Sequence, residues 1–182
     1  MSNFWQKRAY AELSTESGDL AKRGLVYLLS RFFSVPSTAS VSFVLETNGL
    51  EVQFEFYDIT TVDLPIRAEL IEGPTYTKFG PTIPARNLNR KFSDAHQTLL
   101  SAASGISGGT VIASELLGAG TKAGGAFSST KVHILRGNTD YVMTFHNPDN
   151  QVTRCHINLG WSEGEPERYN LVREGINSPG VT

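Results

Sequence analysis

Glu51-Val52-Gln53-Phe54-Glu55-Phe56 decides the fold class. Val52, Phe54 and Phe56 alternate with Glu51, Gln53 and Glu55, which is the period of two that a half-buried strand needs and a helix cannot give. Just upstream, Val41 to Glu46 reads as a second strand, and Asn48-Gly49 between the two is the strongest short hairpin signal. Downstream, Ile66 to Ile71 reads as a third, closed by Glu72-Gly73-Pro74. Further strands are expected at Gly24–Phe33, Thr98–Ala102, Thr110–Leu117, Lys131–Leu135, Tyr141–Phe145 and Val152–Trp161. Turn residues at Gly137–Asp140 and Asn147–Asn150 separate the last three.

The pattern predicts an all-β chain without a core helix. Links such as Thr82–Gln97 and Gly118–Thr130 are longer than hairpin loops and let strands cross between sheets, so a jelly-roll-type β-sandwich fits best. The sandwich is assigned residues 24–162. Residues 1–23 read as an N-terminal arm and residues 163–182 as a polar C-terminal tail.

At 182 residues the chain has the length of one domain, and 40% apolar residues suffice for a core. The net charge of −2 lacks the basic footprint of a nucleic-acid binder. A single cysteine, Cys155, excludes an intramolecular disulfide and a thiolate metal cluster. No run approaches the roughly 18–20 apolar residues of a membrane span, and Met1–Arg8 lacks the features of a signal peptide. The expectation is a soluble protein made in a cytoplasm, with neither nucleic acid nor membrane as partner.

Three stretches invite chemistry. Gly105-Ile106-Ser107-Gly108-Gly109 matches G-x-S-x-G, but a nucleophile elbow needs a strand-to-helix turn, and here Thr110 onward reads as strand. Gly118–Gly125 has Thr before Lys and Gly-Gly where a phosphate loop needs a helix start, so it reads as a glycine-rich loop. Of the four histidines, His146 and His156 flank residues 147–150, and a hairpin would bring them together. Without a third ligand they make a poor zinc site. No catalytic, cofactor or metal residue is assigned.

Two stretches resemble certain virion proteins of tailed bacteriophages. One is Gly73-Pro74-Thr75 with Pro84-Ala85-Arg86-Asn87-Leu88-Asn89-Arg90. The other is Ile134 to Asn147, followed by Ile157-Asn158-Leu159-Gly160-Trp161-Ser162-Glu163, which resembles the closing hairpin of those proteins. The resemblance covers roughly residues 70–163, and Ser162 stands where the pattern has Tyr. It implies a non-enzymatic head structural protein, a jelly-roll cement or decoration protein on the capsid exterior. The implied partners are the major capsid protein and a second or third copy of the chain, as a homodimer or homotrimer. For the Asn-x-Asn-Arg stretch, side-chain bonds to the local backbone and an Arg90–carboxylate pair are expected. Tyr141 would be a buried amphipathic anchor.

The arm holds Phe4, Trp5, Tyr10 and Leu13, too few apolar groups to fold alone. They are expected to dock on a neighbouring subunit, with Phe4 and Trp5 as anchors. The alternatives are a tail or fibre component, or a carbohydrate-binding β-sandwich contacting the host surface through aromatics such as Trp5 or Tyr169. An esterase built on Ser107 is the enzyme alternative.

Overall fold

The computed structural model describes residues 19–61, 64–117, 126–128 and 133–163, with the side chains of Phe56 and of 126–128 excepted. The strands are β1 (Val26–Val35), β2 (Ser40–Glu46), β3 (Val52–Thr61), β4 (Ile66–Glu72), β5 (Thr75–Ile83), β6 (Arg86–Asn87), β7 (Leu99–Ser107), β8 (Thr110–Leu117), β9 (Ala126–Ser128), β10 (Ile134–Leu135), β11 (Asp140–His146) and β12 (Thr153–Glu163). They form an all-β sandwich of two antiparallel sheets. One runs β10-β3-β12-β1-β6, with β9 also on β3; the other runs β5-β7-β2-β11-β4-β8. The chain pairs from outside in: β1 with β12, β2 with β11, β3 with β9 and β10, β4 with β8. β12 also meets β3, and β11 also meets β4.

Alternation along each strand builds the core. In β12, Cys155, Ile157, Leu159 and Trp161 are buried while Arg154 is exposed and His156 and Asn158 are half-buried. In β11, Tyr141, Met143 and Phe145 enter the same core. Burial pushes the Cys155 thiol up to about 12, so this sulfur behaves as a small apolar group.

β3 keeps its expected phase only at its start. Phe54 pairs with Trp161 and Phe56 with Gly160, so Glu55 is an extra residue, a β-bulge. The bulge shifts the inward set from Val52 and Phe54 to Ile59 and Thr61, and the strand runs five residues past its expected end at Phe56.

Two expected hairpins are not hairpins. Asn48 and Gly49 do have positive φ, 46° and 95°, as a tight turn demands. Yet β2 lies in one sheet and β3 in the other, so the turn carries the chain across the sandwich. The reason is Thr47, fully buried, whose Oγ1 bonds Arg136 O (2.9 Å) and Thr139 O (3.0 Å) and ties the end of β2 to the turn before β11. Likewise β11 and β12 belong to different sheets, and the expected closing hairpin is a crossover. Asn147 holds it. The fully buried amide donates to the carbonyls of Val35 (3.2 Å), Pro36 (3.1 Å) and Gln151 (2.7 Å).

The segment from Gly73 to Ser107 holds more strand than expected. β4 and β5 follow each other across Gly73-Pro74, β7 and β8 across Gly108-Gly109, and together they make one long antiparallel ribbon. Gly109 has φ +79°, and a Cβ there would lie 2.8 Å from Glu72 O, so the bend requires glycine. The ribbon folds over the outer face of the second sheet. Tyr76 and Ile106 pack on Val44, Ala103 and Val142, a small core separate from the main one. Tyr76 Oη donates to Asp140 (2.6 Å) and Lys78 Nζ to Glu46 (2.9 Å), fastening the strap.

Candidate docking end of the sandwich

The root of the arm is built into the body. Residues 19–22 form one helical turn, closed by Gly24 N–H to Ala21 O (3.0 Å) and Leu25 N–H to Leu20 O (3.0 Å). The Asn-x-Asn-Arg stretch clasps it. Asn87, 2% exposed, donates its amide to Gly24 O (2.8 Å) and accepts the Asn89 N–H (2.9 Å). Asn89 donates to Lys22 O (2.8 Å). Asp94 completes the clasp: its carboxylate accepts the Asn87 N–H (2.7 Å) and pairs with Arg90 at one oxygen and Arg86 at the other. Arg90 foremost, with the Asn87 amide, holds the Asp94 carboxyl below its ordinary range. Arg90 thus finds its carboxylate, but shares it with Arg86 instead of gripping both oxygens.

Gly24 explains why the chain leaves where it does. Its φ is +74°, and a Cβ would sit 2.3 Å from the Phe92 ring, which lies flat on the missing side chain. Only glycine serves both requirements.

The root of the tail is fixed beside it. β1 and β12 pair so that Val26 faces Ser162, and residues 24 and 163 therefore leave the sandwich side by side. Glu163 accepts the N–H groups of Gln97 (2.8 Å) and Thr98 (2.7 Å) and the Trp161 indole (3.2 Å). Burial pushes this carboxyl up, and the donors from Gln97, Thr98 and Trp161 more than reverse it, so it titrates below its usual range. Beneath lie Tyr27, His96 and Trp161, with ring centroids 5.4–6.1 Å apart. Burial and then Glu163 raise the Tyr27 phenol.

Around the arm root, apolar side chains remain uncovered: Leu25 (36% exposed), Leu88 (41%) and Phe92 (48%). Sequence reasoning missed these three and Asp94. For Leu88 and Phe92 the signal was an apolar residue inside a polar loop; Leu25, in an apolar run, and Asp94 carried none. The expected docking residues Phe4, Trp5, Tyr10 and Leu13 lie outside the described residues, as does Tyr169.

The other candidates take ordinary places. Ser107 ends β7 and Gly108-Gly109 leads straight into β8, so the turn joins strand to strand. Residues 118–125 lie outside the described residues. His146 bonds Ser40 Oγ (3.0 Å) and His156 bonds Ser30 Oγ (3.0 Å), each on a different sheet, and the crossover at Asn147 keeps the two apart. Tyr141 is 1% exposed at the start of β11; its Oη donates to Glu72 (3.1 Å) and accepts the Arg136 N–H (2.9 Å). A cavity of about 40 Å³ between the sheets is lined chiefly by apolar groups such as Phe54, Leu70 and Ile157. No helix among the described residues is long and apolar enough to cross a membrane.

The quoted motif residues thus serve as clasps and anchors in the scaffold. No protein-family model matches the chain, and no curated protein matches it at a significant level. The functional reading therefore rests on the geometry and on the sequence resemblance.

Proposed function

We propose that the protein is a non-enzymatic virion component, a capsid cement or decoration protein that binds the shell of a tailed phage's major capsid protein from outside. One observation carries the reading. The two polar segments, arm and tail, leave from adjacent and separately clasped roots at one end of a rigid sandwich, beside uncovered Leu25, Leu88 and Phe92. A segment that orders only on its partner loses less entropy when its root is already fixed.

The strand order supports the jelly-roll form of this reading. A chain that pairs β1 with β12, β2 with β11, β3 with β10 and β4 with β8 is a long hairpin rolled upon itself, with β5 to β7 as an insertion. Binding only the assembled shell stabilises it by mass action and needs no chemistry. Mass spectrometry and negative-stain microscopy of purified virions test the proposal. The chain is expected on the particle in stoichiometric amount, and its absence from the particle sinks the reading.

A further inference from the structure

The two sheets have four margins, and among the described residues three are blunted. β6 has two residues, β9 and β10 have three and two, and β5 carries Lys78 and Pro81 with two register breaks. Short edge strands, lysine, proline and irregularity are the devices that stop a sheet from pairing with another chain.

β8 lacks most of them. It runs for eight residues, Thr110-Val111-Ile112-Ala113-Ser114-Glu115-Leu116-Leu117, with one charge and no proline. Among the described residues it pairs with β4 on one side only. Val111 (52% exposed), Ile112 (38%) and Leu116 (74%) stand in solvent along it. One irregularity is present, a bulge at Ile112, where Leu70 faces Ala113 and Ile71 faces Val111.

We infer that the free edge of β8 is the self-association surface of the protein, pairing antiparallel with β8 of a second copy about a two-fold axis. The strand is complementary to itself. Centred on Ser114, the pairing sets Leu116 of one copy beside Ile112 of the other and each Glu115 opposite Ala113, so the two carboxylates are not directly opposed. Another segment of the same chain is the competing occupant of this edge, and the exchange measurement below separates it from a second copy. The arm root lies at β1 and β6, the margin of the first sheet opposite to β3, and β3 is the strand that packs near β8. The inference goes beyond the docking role and stands apart from it, because it is read without any capsid present.

Light scattering and sedimentation of the full chain test it. The wild-type protein is expected to be a dimer, and V111K/L116K, altered at exposed positions only, a monomer with an unchanged β-rich circular dichroism spectrum. The dissociation constant should rise at least tenfold, about 1.4 kcal/mol. In a second variant, Ser114→Cys, mild oxidation should cross-link the two copies, since the native Cys155 is fully buried; a Ser30→Cys control should not. A wild-type monomer at millimolar concentration overturns the inference. So does a V111K/L116K dimer of undiminished affinity, or a Ser114→Cys protein that stays uncross-linked. Protection of β8 amides from exchange that does not depend on concentration would assign the edge to another segment of the same chain, and also overturns it.

Discussion

Asn147 and Asn87 do the same work at opposite ends of the sandwich, and the difference lies in what they hold. Asn147 donates to three backbone carbonyls and accepts the Asp149 N–H (3.0 Å), closing a crossover between two strands of the body. Asn87 donates to one carbonyl and accepts one N–H, and the carbonyl belongs to Gly24, where the chain enters the body. The first end is locked onto itself. The second holds the two roots, residues 24 and 163, side by side, with Leu25, Leu88 and Phe92 exposed around the first, and is termed the mount. A buried asparagine is thus no mark of function by itself; the segment it secures tells closure from display.

The strongest way to break the comparison is to remove what lies under the mount. Trp161→Ala should cost about 3–5 kcal/mol in urea unfolding, because the indole is 1% exposed and also supports Glu163. A smaller loss would mean that the mount is not continuous with the core. Asn147→Ala should cost roughly 2–3 kcal/mol, since the fully buried side chain gives up all of its hydrogen bonds to the crossover. Asn87→Ala should cost about 1–2 kcal/mol, with two bonds lost instead of four. Equal losses for the two asparagines would erase the distinction between the ends.

Gly24→Ala sharpens it further. The left-handed backbone and the displaced Phe92 ring should cost about 1–2 kcal/mol, seen as faster amide exchange at Asn87 and Asn89 and not at Asp149.

The smallest effect is acid sensitivity. Glu163 and Asp94 both titrate below their ordinary values. Their contribution is therefore complete above about pH 4, the unfolded carboxyl range, and is lost as pH falls through the lower folded values. Amide protection of Thr98 and Asn87, which donate to these carboxylates, should fade on acidification before that of Asp149. Asp149 fading first would contradict the assignment.

Strand identity was legible where side chains alternate between one core and solvent, as in β12, whose exposed Arg154 and half-buried His156 and Asn158 fall opposite Cys155, Ile157 and Leu159. It failed where a face has a second cover. In β5 and β7, Tyr76 and Ile106 serve the small outer core, so Thr75–Ile83 shows no simple alternation and no strand was expected there, and Thr98–Ala102 covered only the first part of β7. Pairing was not legible from turn chemistry. Asn48-Gly49 sets a tight turn correctly, but Thr47 and its bonds to residues 136 and 139, about ninety positions away, send the strand to the other sheet. The polar character of the Asn87–Arg90 loop was readable; that it grips Lys22 and Gly24 depends on contacts more than sixty residues apart.

The central proposal is that one end of the sandwich is a mount for an arm that grips a capsid. Its most direct test is the binding of the full chain, and of a chain lacking residues 2–18, to expanded shells of the major capsid protein, measured by co-sedimentation over a range of concentrations. The deletion spares the clasped turn at 19–22 and the whole β body. Each anchoring aromatic is worth about 1.5–3 kcal/mol when buried, so the account predicts that the full chain binds saturably and the shortened chain at least tenfold more weakly. Binding of both with the same affinity would contradict it.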